Sequence, residues 1–240
     1  PPNELKELLN RFFTPMTRII FENRGTIDKY VGDMIMAFWG APLVDPRHAR
    51  HGVAAALAMQ TEADRLRETL RNEGFPDIEV GIGLATGPMN VGNMGSSYRR
   101  AYTVIGDTVN LGARLEGLTR TYGVGLVVSE ATKEGLEEDF LSRRLDRVGV
   151  KGREEPLTIY QPLCDRSDAS EAMEAEVTAH ERALTAYFDR DWGQAREGFA
   201  ELAREHPKDS LYQLFLERIE GMDPADLPAH WDGVYRHESK

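Results

Sequence analysis

The chain has 240 residues, 41% of them hydrophobic and 29% charged, with a formal net charge of −11. That balance excludes a largely disordered polypeptide, the acidic excess argues against a general nucleic-acid binder, and no run approaches the roughly 18 apolar residues of a membrane-spanning helix. Cys164 stands alone, which removes a disulfide framework and a cysteine metal site and fits a reducing, cytoplasmic setting.

Leu5, Leu8, Leu9, Phe12, Phe13, Met16, Ile19 and Ile20 recur at helical spacing and predict an amphipathic helix ending near Asn23-Arg24-Gly25. Thr26–Val31 and Met34–Trp39 read as two short strands parted by Gly32-Asp33, a hairpin whose glycine supplies the positive φ of a tight turn. Pro46 and the alanine-rich stretch that follows predict a second long helix, closed by Asn72-Glu73-Gly74. Ile78–Thr86 alternates Ile78, Val80, Ile82 and Leu84 with Gly81, Gly83 and Ala85, so one face is core and the other leaves room for a close approach. No helix signal follows these glycines, so a dinucleotide loop is excluded and packing at a dimer or nucleotide cleft is expected.

Met89–Asn93 and Ala101–Ile105 predict further strands around Gly95-Ser96-Ser97. Asp107 is expected to cap a helix running to about Tyr122, where Gly123 stops it. Gly125–Val128, Leu145–Val150 and Leu157–Gln161 complete a sheet, with a short helix after Ser129. The order of elements predicts an α+β sandwich of the ferredoxin-like, split βαβ kind, which a strand before residue 5 would complete.

Beyond Leu163 the pattern turns helical over Glu174–Arg190, Trp192–Glu205 and Ser210–Ile219. Charge changes at the same place: 20 basic and 22 acidic residues up to Leu163, then 9 basic and 18 acidic. Two parts are therefore expected, 1–163 and a helical appendage and tail over 164–240. Ala183, Ala186, Tyr187, Trp192, Ala195 and Phe199 sit as in a tetratricopeptide-like helix pair, and one pair is too few to stand alone, so it should cap a sheet or a partner. Trp231 and Tyr235, in a tail rich in Pro, Asp and Gly, are the docking residues to look for.

Taken singly, the chemical candidates are ordinary. Asp33 is an aspartate in a Gly-Asp turn, Lys29 a strand lysine, and Lys151 lies between two strands. Asn110 and Arg114 stand i,i+4, so both reach one spot from one helix face, and asparagine is a poor choice in a second helical turn.

In order along the chain they form a pattern. Thr26-Ile27-Asp28-Lys29-Tyr30-Val31-Gly32-Asp33-Met34-Ile35-Met36-Ala37-Phe38-Trp39-Gly40-Ala41-Pro42 resembles the central hairpin of class III nucleotidyl cyclases. Thr103-Val104-Ile105-Gly106-Asp107-Thr108-Val109-Asn110-Leu111-Gly112-Ala113-Arg114-Leu115 resembles the same family's second signature, and Val150-Lys151-Gly152 falls where the family keeps a phosphate-binding lysine. The resemblance covers roughly Leu5 to Pro162.

The resemblance implies an adenylyl cyclase, in which the ribose 3′-oxygen of ATP attacks the α-phosphate and pyrophosphate leaves. It implies two divalent cations, Mg²⁺ or Mn²⁺, with Asp33 as one metal ligand and a partner aspartate on a strand upstream of residue 1. Asn110 and Arg114 then match the ribose-orienting and transition-state groups, and Lys151 the grip on the terminal phosphates. Lys29 and Thr103 match the purine-specifying pair: lysine donates to adenine N1 and the threonine hydroxyl accepts from the 6-amino group. Metal and ribose groups match opposite subunits, which implies a head-to-tail homodimer. Threonine at 103 resembles the subclass that responds to bicarbonate, and such proteins often carry an upstream sensory, membrane-spanning region. A guanylyl cyclase, a non-catalytic cyclase-like module, and a helical tail acting as a partner scaffold are the alternatives.

Overall fold

The computed structural model describes residues 2–149, 155–222, 231 and 233–236. The elements in chain order are α1 (Pro2–Glu22), β1 (Thr26–Val31), β2 (Met34–Phe38), α2 (His48–Asn72), β3 (Ile82–Leu84), β4 (Asn90–Gly95), β5 (Arg100–Ile105) and α3 (Asp107–Tyr122). They continue with β6 (Leu126–Ser129), α4 (Glu130–Glu134), β7 (Phe140–Gly149), β8 (Leu157–Asp165), α5 (Glu171–Phe188), α6 (Trp192–Glu205), α7 (Ser210–Gly221) and β9 (Tyr235–Arg236). The architecture is the α+β sandwich with a C-terminal helical layer that the sequence predicts.

The strands divide among three sheets within the described residues. The largest has the order β3-β6-β8-β7-β9, while β1-β2 and β4-β5 are separate antiparallel pairs. The turn that closes α1 passes through Arg24, which takes a φ of 65°. The next residue must be glycine, because a Cβ on Gly25 would lie 2.6 Å from Ile20 and 2.8 Å from the Trp39 ring. Met16, Ile19 and Ile20 of α1 meet Ala55, Met59 and Ala63 of α2 in a small core beside the first hairpin.

The glycines at 81 and 83 also admit a close neighbour, but it is a helix of the same chain rather than a dimer or nucleotide cleft. A Cβ on Gly83 would stand 2.2 Å from the Glu116 amide nitrogen and 2.3 Å from the Gly112 carbonyl oxygen, so α3 lies directly on that backbone. The strand itself is shorter than the alternation suggested, covering Ile82–Leu84 only. The start of α3 differs too: Gly106, at φ 153°, occupies the cap position and no side chain caps the helix. A single glycine thus turns β5 into α3 through a conformation other residues rarely adopt. Gly123, at φ 63°, closes the helix as expected.

The main core runs from α3 through the sheet into the C-terminal helices. Leu111, Leu115 and Tyr122 pack with Val127, Leu145 and Ile159, and these with Tyr187, Phe199, Leu211 and Phe215. Full burial of each such side chain stabilises by about 1.5–3 kcal/mol. Charged groups stitch the same layers. Asp146 is fully buried on β7 and accepts 2.6 Å hydrogen bonds from Arg218 Nη1 of α7 and Tyr122 Oη of α3. Arg143 donates to Gln161 Oε1 at 2.8 Å, to Asp209 Oδ2 at 2.6 Å and to Tyr212 Oη at 2.9 Å. Buried charge persists only where it is paired in this way. Strand β7 is longer than the apolar run predicts because Arg143, Arg144 and Asp146 lie within it and find partners on the C-terminal helices.

Trp231 docks, as its apolar character suggests. Its ring centroid lies 5.6 Å from Tyr187 and 5.4 Å from Trp192, and Arg190 Nη2 donates to its carbonyl oxygen at 3.0 Å. Four residues on, β9 pairs in parallel with β7 at Val148–Gly149.

Candidate active site

The first hairpin carries Lys29 and Asp33. Its tip is Gly32, with φ 62°, followed by Asp33, whose side chain is exposed. The pairing is interrupted once: Ile27 faces Ala37 and Lys29 faces Met36, so Asp28 is an extra residue, a β-bulge. A bulge redirects the side chain it carries. Here it turns the Asp28 carboxylate away from water, leaving the side chain only 1% exposed, and toward β5.

On β5, Thr103 and Val104 meet that carboxylate. Asp28 Oδ2 accepts from the Thr103 hydroxyl at 2.6 Å and from the Val104 amide at 3.1 Å. Its second oxygen, Oδ1, lies 3.4 Å from Lys29 Nζ. The two predicted purine-recognising residues, 74 positions apart in the sequence, are thereby gathered on one carboxylate. Asp28 is the site residue that sequence reasoning passed over. An aspartate inside a strand is unusual and was the available signal, but its partner could not be named from spacing.

The helix α3 carries Asn110 and Arg114 on its exposed side, opposite the buried Thr108, Leu111, Leu115 and Thr119. The helix start is pinned by the Thr108 hydroxyl, which donates to the Pro88 carbonyl at 3.1 Å. Because Gly106 is the only residue between β5 and α3, Thr103 and Asn110 belong to one rigid unit. Lys151 lies outside the described residues, two positions after the end of β7.

Among the described residues no three His, Cys, Asp or Glu side chains converge as a ready-made metal cage. Asp33 nonetheless suits a small hard cation, since Mg²⁺ is commonly held by one or two carboxylates together with substrate phosphates and retained waters. Around these groups an apolar surface is exposed: Tyr30, Val31 and Met34 on the hairpin, Tyr102 and Ile105 on β5. No described helix is long and apolar enough to cross a membrane.

Residues 1–161 match the family described as "Adenylate and Guanylate cyclase catalytic domain". Adenylate cyclase 1 of Rhizobium meliloti (strain 1021) is 34% identical over 160 residues, which cover 67% of this chain and 24% of that protein. The chain thus matches about a quarter of that relative's length. Among solved structures, the adenylyl cyclase CyaB from P. aeruginosa superposes with a TM-score of 0.65 at 34% identity, covering 70% of this chain and 86% of that one. The guanylyl cyclase Cya2 superposes with a TM-score of 0.62 at 32% identity, over 69% of this chain and 83% of that one. The match over two thirds of the sequence, on a fold carrying Lys29, Asp33, Thr103, Asn110 and Arg114 in these positions, makes the chain a member of the class III adenylate and guanylate cyclase catalytic domain family.

Proposed function

We propose that this chain is the catalytic part of an adenylyl cyclase that converts ATP to 3′,5′-cyclic AMP and pyrophosphate. The observation that carries the choice of adenine is the meeting of Lys29 and Thr103 at Asp28. Lysine is an obligate donor and suits adenine N1, an acceptor; guanine bears a hydrogen there. The ribose 3′-oxygen forms a bond to the α-phosphorus, the bond from that phosphorus to the bridging oxygen breaks, and the 3′-hydroxyl proton passes to solvent as pyrophosphate departs. Asn110 holds the ribose, Arg114 balances the negative charge gathering on the α-phosphate, and Lys151 holds the terminal phosphates. Asp33 would hold the divalent cations, Mg²⁺ or Mn²⁺, which when bound lower the pKa of the hydroxyl and clamp the phosphates.

The working unit in this proposal is a homodimer with two shared sites, Asp33 of one subunit acting with Asn110 and Arg114 of the other. The exposed Tyr30, Val31, Met34, Tyr102 and Ile105 support it as an apolar face to bury. The division into a catalytic part, 1–163, and a tetratricopeptide-like appendage, 164–240, belongs to the same proposal, as does bicarbonate as an activator through the Thr103 subclass. Any membrane link would come from an upstream region.

Similarity to the guanylyl cyclase Cya2 favours GTP as the second reading. Product identification from ATP and from GTP, with Mg²⁺ and with Mn²⁺, on the full polypeptide decides between them. Cyclic AMP as the main product is expected; cyclic GMP as the main product would overturn the proposal.

A further inference from the structure

We infer that Asp28 is the positioning residue that gives this site its purine preference, by fixing which way the Thr103 hydroxyl points and by tethering Lys29 beside it. The inference deepens the adenylyl cyclase proposal and rests on it.

A threonine hydroxyl alone discriminates poorly. It rotates freely, so it can accept from the 6-amino group of adenine or donate to the 6-oxo group of guanine with equal ease. An ionised carboxylate removes that freedom, because it only accepts. Asp28 Oδ2 sits 2.6 Å from Thr103 Oγ1, the short separation of a charge-assisted O–H···O⁻ bond. The hydroxyl proton is therefore committed to Asp28, and only lone pairs remain to face a nucleotide. Adenine then finds an acceptor for its amino group, whereas guanine O6 meets lone pair against lone pair.

The carboxylate cannot turn away from this task. The Val104 amide donates to the same Oδ2 at 3.1 Å, the side chain is 1% exposed, and the bulge at Asp28 leaves it no partner on β2. Its other oxygen faces Lys29 Nζ at 3.4 Å. One oxygen thus sets the acceptor and the other steadies the donor, in adjacent positions, which is the donor–acceptor order that the N1 and N6 edge of adenine requires. Adenine and guanine present opposite patterns on that edge, so the arrangement selects against guanine as well as for adenine.

The test is the ratio of kcat/KM for ATP to that for GTP in the full polypeptide, with competition of the two nucleotides against a fluorescent analogue as a binding readout. Asp28→Ala frees the hydroxyl and the lysine together, and the ratio is expected to fall about tenfold or more, the worth of a hydrogen bond to a charged partner. Asp28→Asn keeps an oxygen for Thr103 and Val104 but loses the ion pair with Lys29, so a smaller fall is expected and the fold is kept. In a Thr103→Val background, Asp28→Ala should lower the ratio less than it does in the wild type, since the hydroxyl it acts through is already gone. If both nucleotides lose activity and binding in parallel, with an unchanged ratio and a lower melting temperature, Asp28 merely staples two hairpins and the inference fails. An unchanged ratio in Asp28→Asn, with Asp28→Ala unfolded, overturns it as well. A wild type that makes cyclic AMP while the variants keep its ratio defeats only the role of Asp28; a wild type that prefers GTP defeats both.

Discussion

Arg114 projects from the exposed side of α3, where a guanidinium can meet charge that builds up only during reaction. Arg114→Ala is expected to lower kcat about a hundredfold or more while KM for ATP changes little, measured by steady-state cyclic AMP formation. His180 behaves differently, because it is buried. Its Nε2 donates to the Arg144 carbonyl at 2.6 Å, its ring lies between Phe199 and Tyr212, and burial lowers its pKa from 6.5 to about 4. Between those values the unfolded imidazole takes up a proton that the folded one refuses. Stability should therefore fall as pH drops from 6.5 toward 4, by about 3 kcal/mol from this group, and level off below. Comparing the melting temperatures of wild type and His180→Gln across pH 4–6.5 checks it: the variant should show the shallower slope. Asp28 and His180 make the same point about legibility. Lys29, Asp33, Thr103, Asn110 and Arg114 could be named from motif order, whereas Asp28 acquires its partner through a bulge and His180 its environment through a helix packed from far along the chain.

The hairpin of β1 and β2 and the unit made of β5, Gly106 and α3 are the elements that present the site. The first was legible because a Gly-Asp turn between two alternating runs has few other solutions. The second was legible in extent but not in its cap. Aspartate is a good cap by type, yet the chain leaves β5 at an angle that only glycine meets comfortably, and that angle is set by the tertiary path rather than by local preference. Gly81 and Gly83 announce a close approach in the sequence but not the helix that makes it, since a missing side chain leaves space without saying what fills it. Their contact with α3 gives a prediction at this scale. A methyl group at Gly83 would collide with the backbone of Gly112 and Glu116, and backbone cannot swing aside as a side chain can. Gly83→Ala should destabilise the protein by about 1–3 kcal/mol, read as a lower denaturation midpoint, and should displace Asn110 and Arg114 enough to reduce turnover.

For the whole molecule, the proposed twofold pairing has a quantitative signature. Asp33→Ala chains and Arg114→Ala chains should each be inactive, yet an equal mixture should recover about a quarter of wild-type activity, because random exchange makes half the dimers mixed and each mixed dimer keeps one complete site. Absence of recovery under conditions where subunits exchange would refute shared sites. A tail with a net surplus of acidic residues could have been a solvated extension. The structure instead places α5–α7 against β7 and α3, with Phe199, Leu211 and Phe215 completing the main core.

That covering means the sequence-family boundary near residue 161 is not a safe place to cut. A polypeptide halted after Leu163 would wet Val127, Leu145 and Leu157, and would strand Asp146 in apolar surroundings without the Arg218 cation that neutralises it. Losing one member of such a buried pair costs about 3–5 kcal/mol, a large share of what holds a domain together. The clipped protein should bind the dye ANS, exchange its β7 amides quickly and settle into aggregates, while the same stretch left joined to its helices stays protected. It would also remove β9 and so bare the edge of β7 at Val148–Gly149, two positions before Lys151 in the sequence. If Lys151 holds the terminal phosphates as proposed, trimming the helices should therefore also weaken nucleotide binding, through the strand that precedes it.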